Sequence, residues 1–128
     1  MRRSPSNPPG PDRRNAERAG RIGEALAAAF LLVKFYRIRT RRYKCRFGEI
    51  DLIAEHFGTL VFVEVKTRRS RAGEADALGA VNQRRIAAAA RHFLARHPAW
   101  ASRPMRFDVI FLAPGAWPRH VRNAFDGD

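Results

Sequence analysis

Carboxylates are scarce in this basic chain, yet four of them fall within two short apolar segments. Glu49, Asp51 and Glu55 lie in one segment and Glu64 lies in the next, among Val, Ile, Leu and Phe residues. An unpaired charge inside an apolar strand is costly to bury, so these acids need positive partners. A divalent cation that prefers oxygen ligands, such as Mg²⁺, is one such partner. The acids therefore predict metal-assisted chemistry, with Lys66 placed to hold a water molecule or to neutralise a developing charge.

The two acidic segments predict strands that are joined by a tight hairpin at Phe57-Gly58. A loop centred on this dipeptide sets Asp51 opposite Glu64 and Glu49 opposite Lys66. Directly opposed side chains have Cβ atoms about 4.5–5.5 Å apart, so two opposed acids repel each other unless a cation lies between them. The alternative is a cross-strand cluster of ion pairs on a solvated face.

Alternation along a strand assigns each side chain to one of its two faces. In the third predicted strand, Glu64 and Lys66 share a face. In the second, Ile50 and Leu52 are expected to share the face opposite Asp51. The acids and the lysine therefore gather on one side of the predicted sheet.

Helical and strand periodicities outline the elements that must position these residues. The order helix, three strands, helix, strand predicts an α/β fold with a mixed sheet flanked by helices. The predicted bounds are, in chain order, about 15–35 (helix), 36–46, 49–56 and 59–67 (strands), 68–79 (loop), 81–96 (helix), 105–112 (strand) and 119–125 (a short final strand or a frayed end).

The composition predicts one globular domain with a polyanionic partner. The chain has 128 residues and a formal net charge of +13, an excess that favours nucleic acid. A single cysteine excludes an intrachain disulfide, and no apolar run is long enough to span a membrane. Residues 1–14 predict a disordered basic arm before a single domain at 15–128. Because this arm lacks the apolar core of a signal peptide, we expect a cytoplasmic protein.

Two blocks of sequence carry a resemblance to a known family. They are Gly48-Glu49-Ile50-Asp51-Leu52-Ile53-Ala54 and Val61-Phe62-Val63-Glu64-Val65-Lys66-Thr67-Arg68. An Asp followed at this distance by Glu-Val-Lys is similar to the PD-(D/E)xK nuclease fold of restriction enzymes and archaeal Holliday-junction resolvases. Together the two blocks resemble the YraN family of small bacterial proteins. The resemblance extends to Gly20, Gly23 and Glu24, to Arg106-Phe107-Asp108-Val109 and to Asn123-Ala124-Phe125.

The resemblance implies a restriction-endonuclease-like core and a metal-dependent nuclease. It implies that Glu24, Asp51 and Glu64 gather around one or two Mg²⁺ or Mn²⁺ ions. The Val65 carbonyl would be a further ligand, and Lys66 would be the catalytic base or stabiliser. The implied reaction is metal-assisted hydrolysis of a DNA phosphodiester. For Glu24, the alternative is an exposed helix charge that the helix dipole favours.

Basic residues around the acids predict contacts with nucleic acid. The stretch before the first acidic strand and the loop after Lys66 are rich in Arg, which suits phosphate oxygens. The alternative is a solvated edge strand that its charge protects from aggregation. Glu49 is expected to pair with an Arg or with Lys66, and the alternative is a role as a metal ligand. By the resemblance, Asn82 stands where the family often carries a Lys before the basic run of the second helix, and Gln83 is the candidate for the Gln or Lys that related nucleases use near the metal. The residues predicted to contact nucleic acid are Arg41, Arg42, Arg46, Arg68, Arg69, Gln83 and Arg84.

Two main hypotheses of function follow, and they differ in kind. The first is a Mg²⁺- or Mn²⁺-dependent endonuclease that hydrolyses DNA. The second is a nucleic-acid-binding module that keeps the fold without cleaving. Both predict binding that weakens with salt, but only the first requires a divalent ion and loses function in Asp51→Ala without losing binding. A third, weaker hypothesis is a structural partner in a larger repair or replication assembly. A homodimer is compatible with the resemblance, because many nucleases of this fold pair up to cut two strands.

Overall fold

The structure is a computed structural model that describes the backbone of residues 11–67 and 80–127 and the side chains of residues 20–67 and 82–127. It confirms the predicted α/β order and shows a strand at the end of the chain. The predicted loop at 68–79 lies outside the described residues. The elements are α1 (Pro11–Val33), β1 (Arg37–Cys45), β2 (Gly48–His56), β3 (Thr59–Thr67), α2 (Ala80–Arg96), a short 3-10 helix (Pro98–Trp100), β4 (Met105–Leu112) and β5 (Arg119–Phe125).

The described strands form one mixed sheet in the order β1-β2-β3-β4-β5. Neighbouring strands are antiparallel except β3 and β4, which run parallel from the pair Leu60–Met105 to the pair Thr67–Leu112. A parallel pair needs a crossover connection, and α2 lies in the chain between these two strands. The mixed sheet with its two flanking helices is consistent with a restriction-endonuclease-like fold.

Each face of the sheet carries its own apolar cluster. Leu60 and Phe62 of β3 pack with α2 residues, whereas Val61 and Val63 pack with α1 residues. The alternation predicted for β3 is therefore confirmed. All four of these side chains are almost fully buried, so β3 is the central strand of the core. It carries Glu64 and Lys66 directly after this buried stretch.

Both ends of α1 differ from the prediction. The helix begins at Pro11, inside the segment predicted as a disordered arm. Proline suits a helical first turn, because its φ is already set and no N–H is left without a partner. The helix ends at Val33, where the Tyr36 N–H donates to the Leu31 carbonyl at 3.0 Å and Phe35 adopts a left-handed φ of 70°. Within the described residues, no helix combines the length and apolar character needed to cross a bilayer.

The two hairpins that join β1, β2 and β3 depend on glycine in different ways. After the turn at Arg46-Phe47, a Cβ on Gly48 would lie 3.0 Å from the Arg85 carbonyl oxygen. Glycine therefore allows the start of β2 to approach the backbone of α2. At Phe57-Gly58, φ values of 48° and 88° are typical of a type I′ turn. This confirms the predicted hairpin between β2 and β3.

The predicted register of β2 holds only as far as the acids. The pairing of β2 with β3 follows the prediction up to Leu52–Val63, the last pair of the ladder. Beyond it, the Asp51 side chain accepts the Val65 N–H at 2.8 Å. Ile50 packs in the α2 cluster and Leu52 in the α1 cluster, so the prediction that they share a face is wrong. The alternation breaks at Asp51 because its side chain replaces a backbone partner there.

Candidate functional site

Three carboxylates from two elements meet between α1 and β2. Glu24 of α1 and Glu49 and Asp51 of β2 each place one oxygen within 4.8 Å of the others. Glu24 is 8% exposed, so the alternative of an exposed helix charge is wrong. Gly23 allows the close approach of α1, since a Cβ there would lie 3.0 Å from Thr67 Oγ1. Glu49, which was expected to pair with a cation, lies among the acids instead.

Asp51 lies at the centre of this group and is largely buried. Its Oδ2 accepts the Val65 N–H, and this bond fixes the Asp51 carboxylate against the backbone of β3. Burial raises the pKa of Asp51 to about 7, and the negative charge of Glu64 adds to the effect. The bond from Val65 opposes this rise. Because a metal ion binds the deprotonated carboxylate, binding of a cation near neutral pH would release the proton of Asp51.

Glu64 and Lys66 extend the acid group along β3. Lys66 Nζ lies 3.1 Å from Glu64 Oε1, and the two side chains are 21% and 12% exposed. Burial raises the pKa of Glu64, whereas the charge of Lys66, its hydrogen bond and a side-chain interaction with Asp51 oppose that rise. Among the described residues, Glu64 is not part of the mutually close trio. The acids thus form two sets that share Asp51. That Glu24, Asp51 and Glu64 hold one or two ions stays a prediction of the resemblance.

Arg42 contacts the trio from β1. Its Nε donates to Glu24 Oε2 at 2.5 Å, and this bond raises the pKa of the Arg42 guanidinium, with smaller contributions from the charges of Glu24, Glu49 and Asp51. Arg42 adopts a left-handed φ of 55°, which is uncommon for a residue with a side chain. The sequence predicted Arg42 as a phosphate contact. In the structure, it is the cation bound to a site acid.

Helix α2 closes the other side of the acids. A cleft of about 230 Å³ is lined by Glu49, Asp51, Glu64, Asn82 and Arg85. The predicted α2 residues, by contrast, are not among those that line this cleft: Gln83 is half-buried and Arg84 is exposed. Asn82 and Arg85 lie one turn before Ile86 and Ala89, so helical spacing places them next to the buried stripe of α2.

Further cations surround the acids on the β1 side. Arg21, Arg41 and Arg42 line one cleft with Glu24, of about 340 Å³. An adjoining cleft of about 310 Å³ joins Lys44 to Glu49. Arg46 lies further off in the hairpin turn, with its guanidinium 4.8 Å from the Phe47 ring centre. The predicted contacts Arg68 and Arg69 lie outside the described residues.

A second buried polar cluster joins β4 to β5 and to the end of α1. Asp108 is fully buried and accepts bonds from Arg106 Nε at 3.0 Å and from the Asn123 N–H at 2.9 Å. His120 Nε2 lies 2.7 Å from the same carboxylate, and His120 Nδ1 lies 2.7 Å from Lys34 Nζ. Every oxygen of Asp108 is thus engaged within the protein, which is typical of a structural carboxylate.

The acid trio fits a hard divalent cation. All its donors are carboxylate oxygens, which Mg²⁺ and Mn²⁺ prefer. Mg²⁺ binds oxygen at about 2.0–2.1 Å, so ligands on opposite sides of one ion are about 4 Å apart. The oxygens of Glu24, Glu49 and Asp51 lie within 4.8 Å of one another. Small side-chain rotations therefore suffice to bring them to one ion.

Comparison with known proteins places these residues in a family. Residues 23–112 match the model described as "Uncharacterised protein family UPF0102". The chain belongs to the UPF0102 family. This is the YraN family of the resemblance, which is thereby confirmed. The matched stretch runs from Gly23 to the end of β4, so it contains all four acids and Lys66.

Individual UPF0102 proteins are similar over most of their length. A relative from Mesorhizobium japonicum is 50% identical over 119 residues, which are 93% of this chain and 95% of the relative. Relatives from Rhodopseudomonas palustris (strain BisB5) and Rhizobium johnstonii are 45% and 46% identical, covering 97% and 88% of this chain and 95% and 93% of their own lengths. Their names give the family and no activity, so the function must be inferred from the site.

Proposed function

We propose that this protein is a divalent-metal-dependent endonuclease that hydrolyses phosphodiester bonds in DNA. The observation that carries the proposal is the meeting of Glu24, Glu49 and Asp51 within 4.8 Å of one another, beside the Glu64–Lys66 pair. A protein of net charge +13 that brings four carboxylates together gains a cation site on a surface suited to a polyanion.

Each site residue has a distinct role in this proposal. Glu24, Glu49 and Asp51 hold Mg²⁺ or Mn²⁺, and Glu64 supports Asp51 from β3. When bound, the ion supplies Lewis-acid activation of water and of the scissile phosphate. Lys66 Nζ, held near the acids by Glu64, orients the attacking water or donates a hydrogen bond to a phosphate oxygen.

The surrounding cations would hold the nucleic-acid backbone. Arg21, Arg41 and Lys44 flank the acids on the β1 side, and Arg85 flanks them on the α2 side. Arg guanidinium groups match phosphate geometry, and such contacts position a strand without reading its sequence. The arrangement therefore supports cleavage that depends on the shape of the substrate.

The test is cleavage of labelled single-stranded, duplex and four-way-junction DNA in Mn²⁺, Mg²⁺ or EDTA. Asp51→Asn keeps an oxygen for the Val65 N–H but removes the charge, so we expect a rate lower by at least about 100-fold. Lys66→Ala should behave similarly. Glu55→Gln is the matched control, because Glu55 is a β2 acid that pairs with Arg39 at 2.8 Å, away from the trio.

Two results would contradict the proposal. One is DNA cleavage that continues in EDTA or in Asp51→Asn. The other is equal DNA binding by wild type and Asp51→Asn with no cleavage by either protein.

A non-catalytic nucleic-acid-binding module is the second candidate. The bond between Arg42 and Glu24 favours it, because one acid of the trio already has a protein cation as its partner. In that case Arg42 would be a permanent substitute for the metal. Binding of DNA without cleavage, unaffected by EDTA, would select this candidate over the nuclease.

A further inference from the structure

The contact between Arg42 and Glu24 brings a cation to an oxygen that the proposed metal also needs. Arg42 Nε lies 2.5 Å from Glu24 Oε2, and the two side chains are 34% and 10% exposed. Glu24 is at the same time a member of the trio. Among the described residues, Glu24 therefore belongs to the one trio of mutually close acids and also forms an ion pair with Arg42.

We infer that Arg42 is an internal counter-cation that neutralises Glu24 in the metal-free protein and competes with the divalent ion for it. The inference rests on the proposed function and names how that site is regulated. Metal affinity would then be set by an exchange of one cation for another, rather than by the acids alone.

Electrostatics makes this contact competitive. Like charges a few ångströms apart repel strongly where water is partly excluded, and a guanidinium on Glu24 lies next to any ion that the trio holds. Arg42 lines one cleft with Glu24 and another with Glu49, so its charge lies beside two members of the trio.

The backbone directs Arg42 toward the trio. Its φ of 55° interrupts β1 where Arg42 and Tyr43 are both half-buried. Tyr43 packs with the α2 cluster, while Arg42 contacts Glu24 of α1. Without this left-handed residue the strand would continue its regular alternation. The local backbone thus supplies a cation at the acids in addition to Lys66.

The test is the dissociation constant of Mn²⁺ for the wild-type protein and Arg42→Gln, measured by titration calorimetry at fixed ionic strength. We expect Arg42→Gln to bind Mn²⁺ at least about fivefold more tightly. Arg39→Gln is the matched control, because it removes the same charge from β1 and breaks an ion pair with Glu55, which is outside the trio. Its dissociation constant should stay within about twofold of the wild type.

Arg42→Lys controls for the effect of any substitution at this position. It keeps the positive charge, so its Mn²⁺ affinity should stay near that of the wild type. Binding that is unchanged or weaker in Arg42→Gln, with the wild type binding Mn²⁺, would overturn the inference and leave the proposed function standing. Mn²⁺ binding that appears only in Arg42→Gln would support the inference. No binding by any folded variant would overturn both the inference and the metal-dependent nuclease.

Discussion

Asp51 determines the electrostatics of the acid group through two contacts. It accepts the Val65 N–H, and its charge interacts with that of Glu64. The first contact fixes the carboxylate in place. Burial makes its ionisation costly, and the charge of Glu64 adds to that cost. Function and stability therefore oppose each other at this residue, as is common at sites that bind charged ligands.

Asp51→Asn should stabilise the metal-free protein at alkaline pH. The folded pKa of Asp51 is about 7, above its ordinary value of 3.8, so the folded state holds a proton that the unfolded state has lost between these values. The resulting penalty grows as pH rises through that window and is complete above pH 7. We expect a gain of about 2–4 kcal/mol at pH 8 in EDTA and almost none at pH 4.

Thermal melts of both proteins at the two pH values measure this effect. Glu55→Gln should give no such gain, because the bond from Arg39 lowers the pKa of Glu55. Adding Mn²⁺ should raise the melting temperature of the wild type more than that of Asp51→Asn. An equal gain from Asp51→Asn at both pH values would show that the carboxylate charge is not the cause.

The strands and helices show which features local sequence could predict. The hairpin at Phe57-Gly58 set the register as far as Leu52–Val63, because both strands adjoin the turn. Residue types and this register were enough to bring Asp51, Glu64 and Lys66 together. These predictions depend on neighbours in the chain, so they need no knowledge of distant contacts.

Other features depend on contacts between distant elements. The break at Asp51 arises from a bond to Val65, and the face of α2 that meets the acids follows from the crossover between β3 and β4. Glu24 and Arg42 meet only because α1 packs against β1 and β2. Periodicity describes one element at a time, so Arg85 and the role of Arg42 were not predicted, and Asn82 was named only through the resemblance.

The polar cluster around Asp108, which joins β4 to β5, should contribute strongly to the free energy of unfolding. Burial favours a higher pKa for Asp108, but bonds from His120, Arg106 and the Asn123 N–H lower it below the ordinary value. Its contribution is therefore present above pH 4 and is lost as pH falls through the lower folded pKa. Asp108→Ala leaves these partners buried without an acceptor, so we expect a loss of about 3–5 kcal/mol at pH 7.

Urea unfolding measured by circular dichroism checks the Asp108 prediction. A loss below about 1 kcal/mol would show that the cluster contributes little. Asp126→Ala is a control in the same part of the chain, because Asp126 is exposed and should give little change. Mn²⁺ affinity of folded Asp108→Ala should match that of the wild type, since none of its contacts reaches the trio.

The molecule as a whole combines a large positive charge with one concentrated acid group. If Arg21, Arg41, Lys44, Arg46 and Arg85 contact phosphates of duplex DNA, the logarithm of affinity should fall with the logarithm of salt concentration at a slope of about −4.5. Fluorescence anisotropy of labelled DNA in EDTA measures this slope. Arg41→Gln should reduce the slope by about 1, whereas Arg91→Gln, on an exposed position of α2, should leave it unchanged. A slope near zero would contradict nucleic-acid binding through phosphates.

The parallel pairing of β3 with β4 has a consequence for synthesis of the chain. The hairpins of β1, β2 and β3 use near neighbours, so they are able to pair as soon as they leave the ribosome. Until β4 has been made, the hydrogen-bonding edge of β3 lacks its partner, and the face that carries Leu60 and Phe62 lacks helix α2. The ribosome adds the residues from Thr67 to Met105 during this time. At the usual pace of translation this takes about 2–8 s. Nascent chains are therefore most open to misassociation through β3 during that interval, after every acid of the site has already been made.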